Sequence, residues 1–134
     1  MPTFCEQAEK EIDNFVGLKY TSGDLDQGAD CLKSNRHVFL GADTILSGAL
    51  VLGFESAIMT SLNICPEISI EILDHIKNCK LPEAKLAQQE LTGRIKKILK
   101  DGGGDWVPSM KIAFNTATTA AGVSIQAGQV RRIS

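Results

Sequence analysis

The stretch NFVGLKYTSGDL, residues 14–25, sets a single lysine, Lys19, inside a short apolar run and closes that run with a polar turn. Valine, phenylalanine, tyrosine and threonine suit a pleated, half-buried surface, so FVGLKYT reads as a strand. The run ends at Ser22-Gly23-Asp24, where Asp24 or Ser22 can cap a helix through LDQGADCLKSN, residues 25–35. Strand therefore passes directly to helix.

Outward from this stretch the alternation repeats. Upstream, PTFCEQAEKEID (2–13) is rich in helix formers, with Pro2 placed near a helix start. Downstream, HVFLGA (37–42) is a second strand, and Asp43 or Thr44 can cap a third helix through ILSGALVLG (45–53), which Gly53 closes. SAIMTSLN (56–63) is expected as a third strand, and the turn CPE leads into a helical region over 68–100. Pro82 must divide that region into two helices, because proline cannot continue a helix interior. The loop DGGGDWVP (101–108) breaks the pattern, SMKIAFNTATTAAGV (109–123) offers a last helix, and the tail SIQAGQVRRIS (124–134) is expected to be irregular.

Strands that alternate with helices at this spacing imply right-handed βαβ units and a parallel sheet. Parallel strands of apolar character normally need cover on both faces, whereas a barrel-like curl places every helix on the outside. One face of the sheet is then expected to lie open. The chain reads as a single domain over 1–134, with strand and helix alternating over 1–66 and a mainly helical region over 67–134.

At 134 residues, 43% hydrophobic and 22% charged, the chain can bury a core, and its composition is that of a folded domain. A net charge of -2 with no large basic cluster gives no electrostatic footprint for nucleic acid. RIKKILK (94–100) reads instead as an amphipathic helix that buries Ile95, Ile98 and Leu99 under a solvated basic face. No run approaches the ~18 apolar residues of a membrane span, and the N-terminus lacks the basic-then-apolar signal pattern, so a cytoplasmic location is expected. Cys5, Cys31, Cys65 and Cys79 are widely spaced without a C-x-x-C, and the two histidines, His37 and His75, have no paired ligand nearby. The expectation is free thiols and no metal site.

Three motifs in order carry a family resemblance. NFVGLKYTSGDL resembles the Schiff-base lysine strand of the N-acetylneuraminate lyase and dihydrodipicolinate synthase family of pyruvate-dependent class I aldolases, where the pattern is G-[IVL]-K-x-[TS] followed by a polar turn and D-L. FLGAD (39–43) resembles its F-x-G-x-D-E, and GFESAIMTSLN (53–63) resembles its G-A-x-G-x-x-G-S-T-Y-N. The resemblance implies an α/β fold that is part of a (β/α)₈ TIM barrel, corresponding to strands six to eight and the C-terminal helices. A whole barrel of this kind needs about 250 residues.

The resemblance also implies roles. Lys19 matches the imine-forming lysine and Thr21 a hydroxyl residue beside it. Gly41 and Asp43 match positions that line the pocket for the sugar's polyol tail in the sialic acid branch. Thr44 stands where the family has a second acid, and Thr60 matches the serine of the last motif. Glu55, Ser56 and Met59 replace glycines of that motif, no G-x-[TS]-G-E occurs for the keto acid's carboxylate, and the only tyrosine is Tyr20. The covalent imine requires no cofactor and no metal.

The chemistry sets a condition on Lys19. An amine attacks a carbonyl only when unprotonated, and a solvated lysine, with a pKa of about 10.4, is almost wholly protonated at neutral pH. Enzymes correct this by burial or by a neighbouring cation, and carbon–carbon cleavage needs a positioned acid–base group besides. Two readings follow. One is an N-acetylneuraminate lyase-like aldolase acting on a keto acid or sialic acid, impaired or dependent on a homo-oligomer or complementing chain. The other is a non-catalytic module that uses the open sheet face for self-association or partner binding.

Overall fold

A computed structural model describes residues 2–33, 35–124 and 127–128. Helix α1 (Pro2–Glu11) leads into strand β1 (Gly17–Tyr20), helix α2 (Leu25–Ala29) and strand β2 (His37–Leu40). A 3-10 turn, Asp43–Ile45, runs into helix α3 (Leu46–Val51), which Gly53 ends in the left-handed conformation at φ 103°. Strand β3 (Ser56–Ala57) and a second 3-10 turn, Thr60–Asn63, precede three helices: α4 (Pro66–Lys77), α5 (Leu81–Asp101) and α6 (Trp106–Ala120).

The three strands form one parallel sheet in the order β1-β2-β3. Lys19 pairs with Phe39 and Phe39 with Ser56, so these three side chains form a row on one face. Tyr20, Leu40 and Ala57 form the row on the other face, and that face meets the helices. Tyr20, Val38 and Leu40 are buried there, together with Leu46, Ala49 and Phe54. The Tyr20 and Phe54 rings lie 6.3 Å apart, and Gly28 has no side chain because both rings occupy the space a Cβ would need. Lys19, by contrast, is exposed.

The helical half builds the rest of the core. Ile68 and Ile72 recur at i, i+4 on α4, and Ala84, Ala87, Leu91 and Ile95 make a stripe at helical spacing on α5. Gln88 on α5 stitches this layer to the turn after β2 and to the start of α3. Its amide nitrogen donates to the Asp43 carbonyl (3.1 Å), and its oxygen accepts from the Ser47 backbone N–H (2.8 Å). The basic run behaves as an amphipathic helix should: Ile95 is buried, Arg94 pairs with Glu67 and Glu90, and Lys97 pairs with Asp101.

Several boundaries differ from expectation. Asp24 does cap α2, accepting from the Gln27 N–H at 3.0 Å, but the helix stops at Ala29 instead of reaching residue 35. The chain turns there so that Arg36 can reach Glu9 of α1 and the Cys31 carbonyl. The helical region breaks at Asn78–Lys80, where Cys79 takes φ 57°, and Pro82 sits in the first turn of α5, where its missing N–H costs nothing. The third strand is only two residues long, and Thr60–Asn63 is 3-10 instead of strand. Helix α6 begins at Trp106, three residues before the expected start, with Pro108 tolerated in its first turn. Most of the tail at 124–134 lies outside the described residues.

Candidate functional site

The candidate site forms at the C-terminal ends of the strands. β1 carries Lys19 on the open face, and Thr21 follows it just beyond the strand end. The Gly41 N–H donates to the Tyr20 carbonyl at 2.7 Å, continuing the ladder past β2 and setting Gly41 beside Thr21. A Cβ on Gly41 would collide with the Thr21 hydroxyl and come within 2.8 Å of Lys19 Cε. The lysine stem, the threonine hydroxyl and the bare glycine therefore share one small volume. Lys19 makes no ion pair among the described residues.

Asp43 behaves differently from the expectation that it or Thr44 would cap the third helix. Asp43 opens the 3-10 turn and has no capping bond to it, and Thr44 is exposed. Asp43 as a whole is 3% exposed, and its Oδ1 accepts from the Ser61 backbone N–H at 2.9 Å. It thus ties the loop after β2 to the loop after β3, and gives that buried side-chain oxygen a backbone donor. Thr60 lies on that second loop, where its hydroxyl accepts from Trp106 Nε1 at 3.4 Å. Thr60 also borders a cavity of about 390 Å³ under α6 lined by Ile64, Met110, Lys111 and Phe114. Lys19, Thr21 and Gly41 are brought together, and Asp43 braces their loop from within the core, whereas Thr44 is exposed and Thr60 faces Trp106 and the cavity under α6.

Sequence reasoning missed what else shares the face with Lys19. Phe39 and Ser56 lie in its row, and Ile58, whose N–H donates to the Leu40 carbonyl at 2.8 Å, follows at 49% exposure. The signal was present in the period of two along HVFLGA. Tyr20 points the other way, and its hydroxyl donates to the Asp24 carbonyl inside the helix layer. An adjacent residue of a strand faces the opposite side, so Tyr20 cannot deliver a proton to an adduct on Lys19. Among the described residues no three His, Cys, Asp or Glu side chains gather into a metal-binding group.

A parallel sheet with helices on one face and a lysine near a strand's C-terminal end defines an α/β fold matching that of TIM-barrel aldolases. The sequence matches the Dihydrodipicolinate synthetase family over residues 5–127, and the chain belongs to that family. It is 32% identical over 94 residues to the N-acetylneuraminate lyase of Fusobacterium nucleatum, a match spanning 69% of this chain and 32% of that protein. The fold superposes on the native N-acetylneuraminate lyase of Aliivibrio salmonicida with a TM-score of 0.81 at 26% identity, covering 98% of this chain and 42% of the other. The lyase of Proteus mirabilis gives the same TM-score at 21% identity, over 100% of this chain and 43% of that one. The chain thus spans less than half the length of the relatives it matches.

Proposed function

We propose that this chain carries the imine-forming part of a Schiff-base aldolase of the N-acetylneuraminate lyase type, equivalent to strands six to eight of a (β/α)₈ barrel. The observation that carries this reading is the position of Lys19 on the open sheet face, against the bare Gly41 and the Thr21 hydroxyl. The Lys19 amine attacks the keto carbon of open-chain sialic acid and water leaves as the imine forms. The protonated imine accepts the electron pair of the breaking carbon–carbon bond, and N-acetylmannosamine departs. The resulting enamine takes up a proton, and water then hydrolyses the imine to pyruvate and the free amine. The acid–base group for cleavage and the enclosure that favours the neutral amine come from outside this chain, because Tyr20 faces away and Lys19 is solvated. Activity is accordingly impaired in the isolated chain and depends on assembly.

The test is reductive trapping. The chain is incubated with pyruvate, alone and in a completed assembly, then treated with borohydride and analysed by peptide mass. One reduced pyruvate on the Lys19 peptide is expected, and none in Lys19→Met. Absence of the adduct under both conditions would end this reading. A non-catalytic, partner-binding role is the second reading, supported by the half-exposed Ile58 and the exposed face around it.

A further inference from the structure

We infer that Cys5 and Cys31 form a redox-active thiol pair, a site at which the chain takes up an intramolecular disulfide that fastens α1 to the turn after α2. Cys5 and Ala8 make the buried face of α1, and Cys31, like Cys5, is 0% exposed, in the turn that closes α2. Arg36 fixes the distance between those two segments. The same guanidinium holds Glu9, one turn along α1 from Cys5, and the Cys31 carbonyl. A second tie, from Lys33 to Glu6 at 3.5 Å, flanks it. Between these ties the two thiols are in hydrogen-bonding contact, and both are free. The other two thiols have different surroundings: Cys65 lies beside Glu67 and Arg94, and Cys79 is exposed in the link between α4 and α5.

The co-reactant is a small disulfide such as oxidised glutathione. The thiolate of one cysteine attacks it and expels one glutathione thiolate, leaving a mixed disulfide. The thiolate of the second cysteine then attacks the protein sulfur of that bond and expels the other. Two thiol protons and two electrons leave the protein, and two glutathione thiols are made. Burial and the neighbouring Cys5 raise the Cys31 thiol above 9.0, so the closed fold holds little thiolate at neutral pH and exchange is slow. Equilibrium, not rate, therefore measures the pair. The new bond closes a loop from residue 5 to residue 31 that contains the whole of β1, with Lys19 in it. It joins the helix that enters the lysine strand to the segment that leaves it, and it restricts the unfolded chain.

The experiment equilibrates the chain at pH 8 in glutathione buffers of graded oxidised-to-reduced ratio, starting from the reduced and from the oxidised protein. Samples are quenched with acid and mapped by peptide mass without reduction. One cross-link, joining the Cys5 and Cys31 peptides, is expected. The oxidised chain is expected to unfold about 5–15 °C above the reduced one and to exchange its β1 amide hydrogens more slowly. Cys79→Ala leaves all three results unchanged, whereas Cys5→Ala abolishes the cross-link and the thermal shift. The map is made on the parent chain, so its result holds whether or not Cys5→Ala folds. Cys5 and Cys31 left as thiols or as mixed glutathione disulfides in the most oxidising buffer would overturn the inference. So would a cross-link from either to Cys65 or Cys79, or an oxidised chain that unfolds at no higher a temperature than the reduced one.

Discussion

At Gly41 the absent side chain is what admits the Lys19 stem and the Thr21 hydroxyl to the same place. Gly41→Ala is expected to force both aside, at about 1–3 kcal/mol of stability in urea unfolding, and to lower the yield of the trapped adduct. Asp43 has a structural role that can be measured separately. Asp43→Ala leaves the Ser61 N–H without its acceptor inside the core and is expected to cost about 1–3 kcal/mol, while Asp43→Asn retains an acceptor oxygen and costs less. The thiols sort by burial: Cys79 is exposed, whereas Cys5, Cys31 and Cys65 are buried. A thiol reagent is expected to label Cys79 rapidly and the other three only on unfolding, as counted by intact mass. The lysine and its glycine were legible as a motif. The bond from Asp43 to Ser61 was not, because a capping position and a tertiary acceptor look identical along the chain.

Between elements, the tether from α1 to the start of β2 stands out. Arg36, with its side chain 1% exposed, donates twice to Glu9 Oε1, at 2.9 and 2.7 Å, and once to the Cys31 carbonyl at 2.9 Å. Removing the carboxylate leaves a buried guanidinium without its counter-charge. Glu9→Ala is therefore expected to cost about 3 kcal/mol and to raise hydrogen exchange along α1, whereas a lysine variant at an exposed pair such as Lys97–Asp101 should change little. The helix and strand order was readable from periodicity and turn residues. The length of α2 was not, because the demand that stops it comes from Arg36 seeking a partner 27 residues upstream.

The whole molecule couples its thiols to pH. Burial pushes the Cys31 thiol above its ordinary value of 9.0, with Cys5 beside it adding to the rise and Arg36 opposing it. Burial does the same to Cys65, with the Glu67 carboxylate adding and Arg94 opposing. A folded-state value above the unfolded one contributes stability that is complete below pH 9 and is lost as pH rises above it. Thermal unfolding from pH 8 to 11 is expected to show a falling midpoint, with a shallower fall in a Cys31→Ala/Cys65→Ala variant. By itself the sequence determined the alternation of strands and helices, the break before Pro82, a cap for α2 at Asp24 or Ser22 and the lysine motif, because each rests on neighbours within a few residues. Only the tertiary structure decided which face of the sheet the helices cover. It placed Tyr20 away from Lys19, confined β3 to two residues and drew Asp43 into the core. Those outcomes depend on contacts between residues far apart in the chain, whose free energies local pattern does not encode.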